Sequence, residues 1–186
     1  MFDAAKARTL LLNADMRPLE LTPLSTLGWQ AAIKGIVRGE LFAVAEYETI
    51  VRSQHLEMFV PSVVVKKSYE DLSRPAAFTR ENVFAAYDCR CGYCGGKFST
   101  SELTFDHILP RSRGFGSSWE NTVPACVPCN SRKRNRTPQE ARMPLRVEIR
   151  QPSVAEINAR TAFGLDLQAI RREWLDYVYW GVELEQ

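Results

Sequence analysis

The sequence predicts an α+β chain, with a metal-ordered segment set between an N-terminal α+β region and C-terminal helices. Three observations carry this expectation. Short β-branched runs alternate with a helical stretch over the first 75 or so residues, two Cys-x2-Cys pairs lie in mid-chain, and capped helical patterns follow them. At 186 residues, 45% hydrophobic and 25% charged, the composition is that of an ordinary globular protein.

In chain order, Thr9–Asn13 and Leu41–Glu46 are apolar runs of strand length. Between them, Trp29, Ala32, Ile33, Ile36 and Val37 recur at helical spacing, which predicts an amphipathic helix over Gly28–Arg38. Thr49–Arg52 and Ser62–Lys66 are further strands, rich in β-branched residues. Ser73-Arg74-Pro75 reads as a connection. A helix over Thr79–Tyr87 follows, with Val83, Phe84 and Tyr87 on one side. Beyond the cysteines, Thr137-Pro138-Gln139-Glu140 is a capping box with proline at the first helical position, and Ser153-Val154-Ala155-Glu156 is a second box. Leu167, Ile170, Trp174, Tyr177 and Val178 give the apolar stripe of a last helix over Asp166–Trp180, read as core packing. The chain carries no internal repeat or low-complexity tract.

The apolar run Leu10-Leu11-Leu12 is too short for a secretory signal, and no stretch approaches the roughly 18 apolar residues that cross a bilayer. The expectation is a cytoplasmic protein with no membrane partner, in a compartment where structural disulfides are rare. Net charge is only +2, but it is unevenly placed. From His107 to Arg150 there are 9 basic and 3 acidic residues, a net of +6, whereas the stretch from Gln151 onward has 3 basic and 6 acidic. A basic segment in a nearly neutral chain points to a local polyanion site, or to a solvated basic face.

Four of the five cysteines form the pairs Cys91-x2-Cys94 and Cys126-x2-Cys129. Two such pairs suit tetrahedral zinc, since two intervening residues let one tight turn present both sulfurs. A redox pair is the alternative, and the duplication argues against it. Cys89 is left over; it could replace Cys91 as a ligand, but its spacing to Cys94 is worse, and it reads as a small buried residue. With four protein ligands the zinc would be structural.

The 31 residues between the pairs contain Asp106-His107, and Asn121 follows 15 residues after Asp106, with Asn130 9 further on. Here the chain resembles the HNH nuclease family. The matching residues are Cys91-Gly92-Tyr93-Cys94-Gly95, Asp106-His107-Ile108-Leu109-Pro110-Arg111-Ser112, Trp119-Glu120-Asn121, Ala125-Cys126, Cys129-Asn130-Ser131-Arg132-Lys133 and Arg136-Thr137-Pro138. More loosely, LLLNADMRPLELTP near the start is similar to the N-terminal region of one bacterial HNH subfamily. The resemblance implies a ββα-metal (His-Me) finger, in which two antiparallel strands and a helix hold one catalytic metal. It implies His107 as general base, Asp106 as metal-ligating carboxylate, Asn121 as the residue that props the loop and orients the base, and Asn130 as the second metal ligand, an H-N-N variant. It also implies DNA cleavage leaving 5′-phosphate and 3′-hydroxyl ends. The residues do not separate DNA from RNA and are silent on oligomeric state. Where the family often has two adjacent glycines, Phe115 separates Gly114 from Gly116. On this reading the chain divides into an accessory region at 1–75, a nuclease core with the zinc site at 76–145 and a helical extension at 146–186.

The chemistry supports these roles independently. Phosphodiester hydrolysis needs an attacking water, a proton acceptor, and relief of charge on the phosphate and the leaving oxygen. A neutral imidazole accepts a proton at cellular pH. A carboxylate and an amide oxygen suit a hard cation such as Mg²⁺ or Mn²⁺. Asp106 and His107, being adjacent, would point to opposite faces of a regular strand, so both reach one phosphate only if the strand ends or bends there. Lys133, three residues after Asn130, is placed to face the same phosphate, while Arg132, Arg134, Arg136, Arg111 and Arg113 can grip its neighbours. Six such contacts would give a log–log salt dependence of slope near ~−5. His55, outside every motif, reads as non-catalytic. Two other functions use fewer of these residues: a zinc-stabilised nucleic-acid-binding module without cleavage, and an interaction scaffold in which zinc only holds the fold.

Overall fold

A computed structural model describes residues 7–21, 23–54, 57–162, 168 and 170–178. The chain divides into two compact units, one formed by described residues among 1–72 and 162–186, the other by 73–161. Among the described residues no helix is long and apolar enough to cross a membrane.

The first unit is a four-stranded sheet with helical cover. Strands β1 (Arg8–Leu12), β2 (Thr26–Gly28), β3 (Leu41–Arg52) and β4 (Glu57–Lys66) lie in the order β2-β1-β4-β3, and helix α1 (Trp29–Val37) leads from β2 towards β3. β1 and β4 run parallel, with Leu10 opposite Val63 and Leu12 opposite Val65; the other pairs are antiparallel. The two-residue alternation of the central strands decides what each face meets. Leu10, Leu12 and Val63 pack with Trp174 and Val178 on one face, while Leu11 and Val64 meet Ala32, Ile36 and Leu41 on the other. Gly35 lets α1 come this close: a Cβ there would stand 2.5 Å from Leu41 Cδ1.

Expected and observed elements differ in instructive ways. The two strands expected over Leu41–Glu46 and Thr49–Arg52 are one strand, β3, whose register against β4 shifts between Ala43 and Ile50. Such irregularities let a strand continue through a break in its apolar pattern. β2 is too short to carry a periodic signal. Of the helix expected over Asp166–Trp180, the described part is a 3₁₀ turn at Arg172–Trp174 running into helix α6 (Leu175–Val178). Residues 166, 167, 169, 179 and 180 of that stretch, and His55, lie outside the described residues.

The second unit holds the cysteines. It contains α2 (Arg80–Ala86), β5 (Leu103–His107), β6 (Thr122–Cys126), α3 (Val127–Lys133), α4 (Pro138–Ala141) and α5 (Val154–Ala162). β5 and β6 pair antiparallel, from Leu103–Cys126 to His107–Thr122, and α3 follows β6 directly, so the ββα finger is present. Thr79 caps α2 by accepting from the Asn82 amide. Both expected capping boxes form: Thr137 with Glu140 ahead of α4, and Ser153 with Glu156 ahead of α5. The core under the finger is aromatic, with Phe84 edge-on to Phe105 and Phe78 edge-on to Trp119, whose Nε1 donates to the Ala76 carbonyl. Residues after α4 belong to this unit too. The Arg146 amide donates to Gly92 O, and the Ala76 amide donates to Pro152 O.

Candidate active site

The sulfur cluster comes first, because it fixes the frame of the rest. The turn at Cys91 closes through Cys91 N to Gly96 O and Gly95 N to Cys91 O, with Gly95 in the left-handed region at φ 76°. Cys126 caps α3 and Cys129 lies in its first turn. The Gly92 amide donates to Pro124 O at 2.8 Å, tying the turn to β6. The four Sγ atoms lie within 4.8 Å of one another, and Cys94 and Cys126 are 4.0 Å apart. Sulfurs about 2.3 Å from a tetrahedral zinc stand roughly 3.8 Å apart, so the cluster fits that ion and no disulfide is formed. Burial raises the Cys91 thiol pKa, but the amides of Cys94, Cys126 and Tyr93 outweigh it and bring it down to about 7. Cys89 stays out of the cluster, and burial pushes its thiol up, with the Asp88 charge adding to the effect.

Strand β5 ends at His107, so the chain breaks from the strand at the position the sequence reading required. Past it, the Ile108 amide donates to Asn121 O at 2.9 Å. The Asn121 side chain accepts from the Leu109 amide at 2.8 Å and donates to Leu109 O at 3.1 Å and Gly116 O at 2.8 Å. One buried amide thus closes the loop from both ends. That loop brings Ser117 Oγ to 2.7 Å from His107 Nε2. It turns at Gly114, φ 88°, and leaves Phe115 exposed, so the interrupted glycine pair still supplies the left-handed residue where the 3₁₀ turn at Arg111–Arg113 ends. His107 is half-buried. Its pKa is lowered, first by burial and then by the Arg111 charge, against the opposing pull of Asp106.

Asp106 is 6% exposed and Lys133 1% exposed. Lys133 Nζ lies 3.0 Å from Asp106 Oδ2 and 3.2 Å from Oδ1, and donates to His107 O at 2.6 Å. The Tyr93 hydroxyl also donates to Asp106 Oδ2. Burial, and then that bond to a carboxylate, push the Tyr93 phenol pKa well up. Asn130 Nδ2 donates to Thr104 Oγ1 at 2.8 Å, and Thr104 in turn donates to Ala125 O at 2.9 Å. The amide is thereby oriented, and its Oδ1 has no donor among the described residues. A carboxylate and an amide oxygen are suitable donors for a hard divalent cation. The carboxylate, however, already carries the Lys133 ammonium.

The structure places the expected phosphate-binding cations differently from one another. Lys133 is inside, on Asp106. Arg113 makes two 2.8 Å bonds to Glu140. Arg136 donates to the carbonyls of Lys133 and Arg132 and so caps α3. Arg111, Arg132 and Arg134 are exposed, and their side chains make no hydrogen bond or ion pair among the described residues. Sequence reasoning gave no role to Tyr93, Ser117 or Thr104. An aromatic residue inside a Cys-x2-Cys turn was the one available signal for Tyr93.

Residues 91–146 match the family described as HNH endonuclease, and residues 9–74 match the HNH endonuclease-associated, N-terminal domain. Both matches and this finger support an HNH endonuclease family for the chain. It is similar to the CRISPR-associated endonuclease Cas9 of Corynebacterium diphtheriae, 38% identical over 71 residues, which are 38% of this chain and 6% of that protein. It also aligns with the crystal structure of the Type II-C Cas9 enzyme from Actinomyces naeslundii at 27% identity and a TM-score of 0.29, covering 55% of this chain and 12% of that one. The chain therefore spans only a small part of either relative.

Proposed function

We propose that the protein is a metal-dependent endonuclease that hydrolyses DNA phosphodiester bonds, with a structural zinc held by Cys91, Cys94, Cys126 and Cys129. The observation that carries this reading is the His107 ring, held beside Ser117 at the end of β5, with the buried carboxylate of Asp106 in the preceding position. His107 takes the proton of the attacking water. Asn121 keeps the loop, and with it Ser117, in register with the imidazole. Asp106 and Asn130 would hold a Mg²⁺ or Mn²⁺ ion, which when bound relieves charge on the phosphate and the leaving oxygen. Arg111, Arg132 and Arg134 supply charge for flanking phosphates. The test is nicking of supercoiled plasmid with Mg²⁺, Mn²⁺ or EDTA. His107→Ala lowers the rate by about 10²–10⁴ at nearly unchanged DNA affinity; equal rates in the two proteins would remove His107 from the reaction.

One observation favours a second reading. With Lys133 paired to Asp106, the carboxylate is charge-balanced without any divalent ion, as a zinc-stabilised DNA-binding module without cleavage would require. Metal-independent binding together with absent nicking would select it.

A further inference from the structure

The residue between the first two zinc ligands reaches the candidate hydrolytic site. Tyr93 belongs to the Cys91–Cys94 turn, is 5% exposed, and ends on Asp106 Oδ2. From Tyr93 a short path leads to each metal position: through the backbone of its own turn to two sulfurs, and through its hydroxyl to a carboxylate. Lys133, the other partner of that carboxylate, lies four residues beyond a sulfur ligand, Cys129, on α3. Asp106 is thus held by groups carried on both halves of the sulfur site.

We infer that Tyr93 is a positioning residue that couples the two metal sites, setting the Asp106 carboxylate for a divalent ion from within the zinc-binding turn. This rests on the reading of Asp106 as a metal ligand. The physical reason is that a ligating carboxylate has two oxygens and a rotatable Cβ–Cγ bond. A rigid donor on Oδ2 fixes that torsion before the ion arrives, so less freedom is lost on binding. The phenol suits the task because its ring is clamped by burial and its hydroxyl is neutral, adding no repulsion towards a cation, whereas the Lys133 ammonium does repel one.

The test measures Mn²⁺ affinity by electron paramagnetic resonance, in the full chain with zinc bound, for the parent, Asp106→Ala and Tyr93→Phe. Zinc content and melting temperature are measured alongside. Tyr93→Phe is expected to keep its zinc and to bind Mn²⁺ about tenfold more weakly. Parent-like or tighter Mn²⁺ binding by Tyr93→Phe, while Asp106→Ala binds weakly, would overturn the coupling and leave the Asp106 assignment standing. Equal Mn²⁺ binding by the parent and Asp106→Ala would overturn that assignment, and the inference with it. Should Tyr93→Phe lose its zinc, cadmium is substituted for zinc in the parent protein and its NMR signal is followed during Mg²⁺ titration. A shift that saturates with Mg²⁺ supports the coupling, and an unmoved signal overturns it.

Discussion

Lys133 Nζ stands 3.0 Å from Asp106 Oδ2, in a setting where neither residue exposes a tenth of its surface. A carboxylate this deeply buried needs a counter-charge, and the helix that begins within the second cysteine pair supplies it. Removing one partner of such a pair leaves an uncompensated charge and costs about 3–5 kcal/mol. Lys133→Met should therefore lower unfolding free energy by that order in urea titration. Because the lost cation stood on the proposed metal ligand, saturating Mg²⁺ should restore more stability to the variant than it adds to the parent. Equal Mg²⁺ stabilisation of both proteins would separate Asp106 from divalent binding.

Asn121→Ala removes the three bonds that close the loop between Leu109 and Gly116. Stability should fall by about 1–3 kcal/mol, because a buried amide and carbonyls lose their partners. Nicking, measured well below the variant's melting temperature, should fall far more than the folded fraction does, since Ser117 loses its place beside His107. Loss of activity that merely tracks unfolding would confine Asn121 to fold maintenance.

Of the six basic residues expected on phosphates, only Arg111, Arg132 and Arg134 are exposed and unengaged among the described residues. Three contacts give a log–log dependence of affinity on salt with slope of about −3. Fluorescence anisotropy with a short duplex, at several salt concentrations, distinguishes this from the steeper slope near ~−5 that six contacts produce. The steeper value would mean that Arg113 leaves Glu140 and Arg136 leaves the end of α3 when DNA binds.

Glu156 carries a pH signature of its own. Its hydrogen bonds to Arg150, and then the Ser153 amide, hold its carboxyl at about 2. An unfolded glutamate titrates near ~4.3. With the folded value depressed, the stabilisation is fully present above the unfolded value and is lost as pH falls through the folded one. Melting temperature followed from pH 6 down to pH 2 should therefore drop more steeply for the parent than for Glu156→Gln. Parallel curves would mean that the box at the start of α5 is not anchored by charge.

What could be read in the residues was whatever is decided locally. Thr137 and Glu140 lie within one helical turn and meet as their spacing dictates, as do Ser153 and Glu156. The sulfur site was legible for a similar reason: each pair is a single turn, and only the meeting of the two pairs is tertiary. The order Asp106, His107, Asn121, Asn130 was legible as a motif, and the strand does end at His107, where Pro110 and the glycines beyond it favour a break. The fate of Lys133 was not. Helical spacing puts it on the same side as Asn130, but whether that side meets solvent or β5 depends on packing across 27 residues of chain. Arg113 and Glu140, also 27 residues apart, went unpaired in the sequence for the same reason. β3 was divided because its bulges interrupt the two-residue pattern that marks a strand.

The parallel pairing of β1 with β4 also has a bearing on folding order. Leu10 must wait for Val63, and the face they share is covered by Trp174 and Val178, more than a hundred residues further along the chain. The β5–β6 ladder joins residues no more than 23 apart. Closing short loops is entropically cheaper and faster. On a ribosome, all residues of the β5–β6 ladder therefore emerge before Trp174 and Val178 can cover Leu10 and Val63, and a chain halted before Trp174 presents that uncovered face to its surroundings.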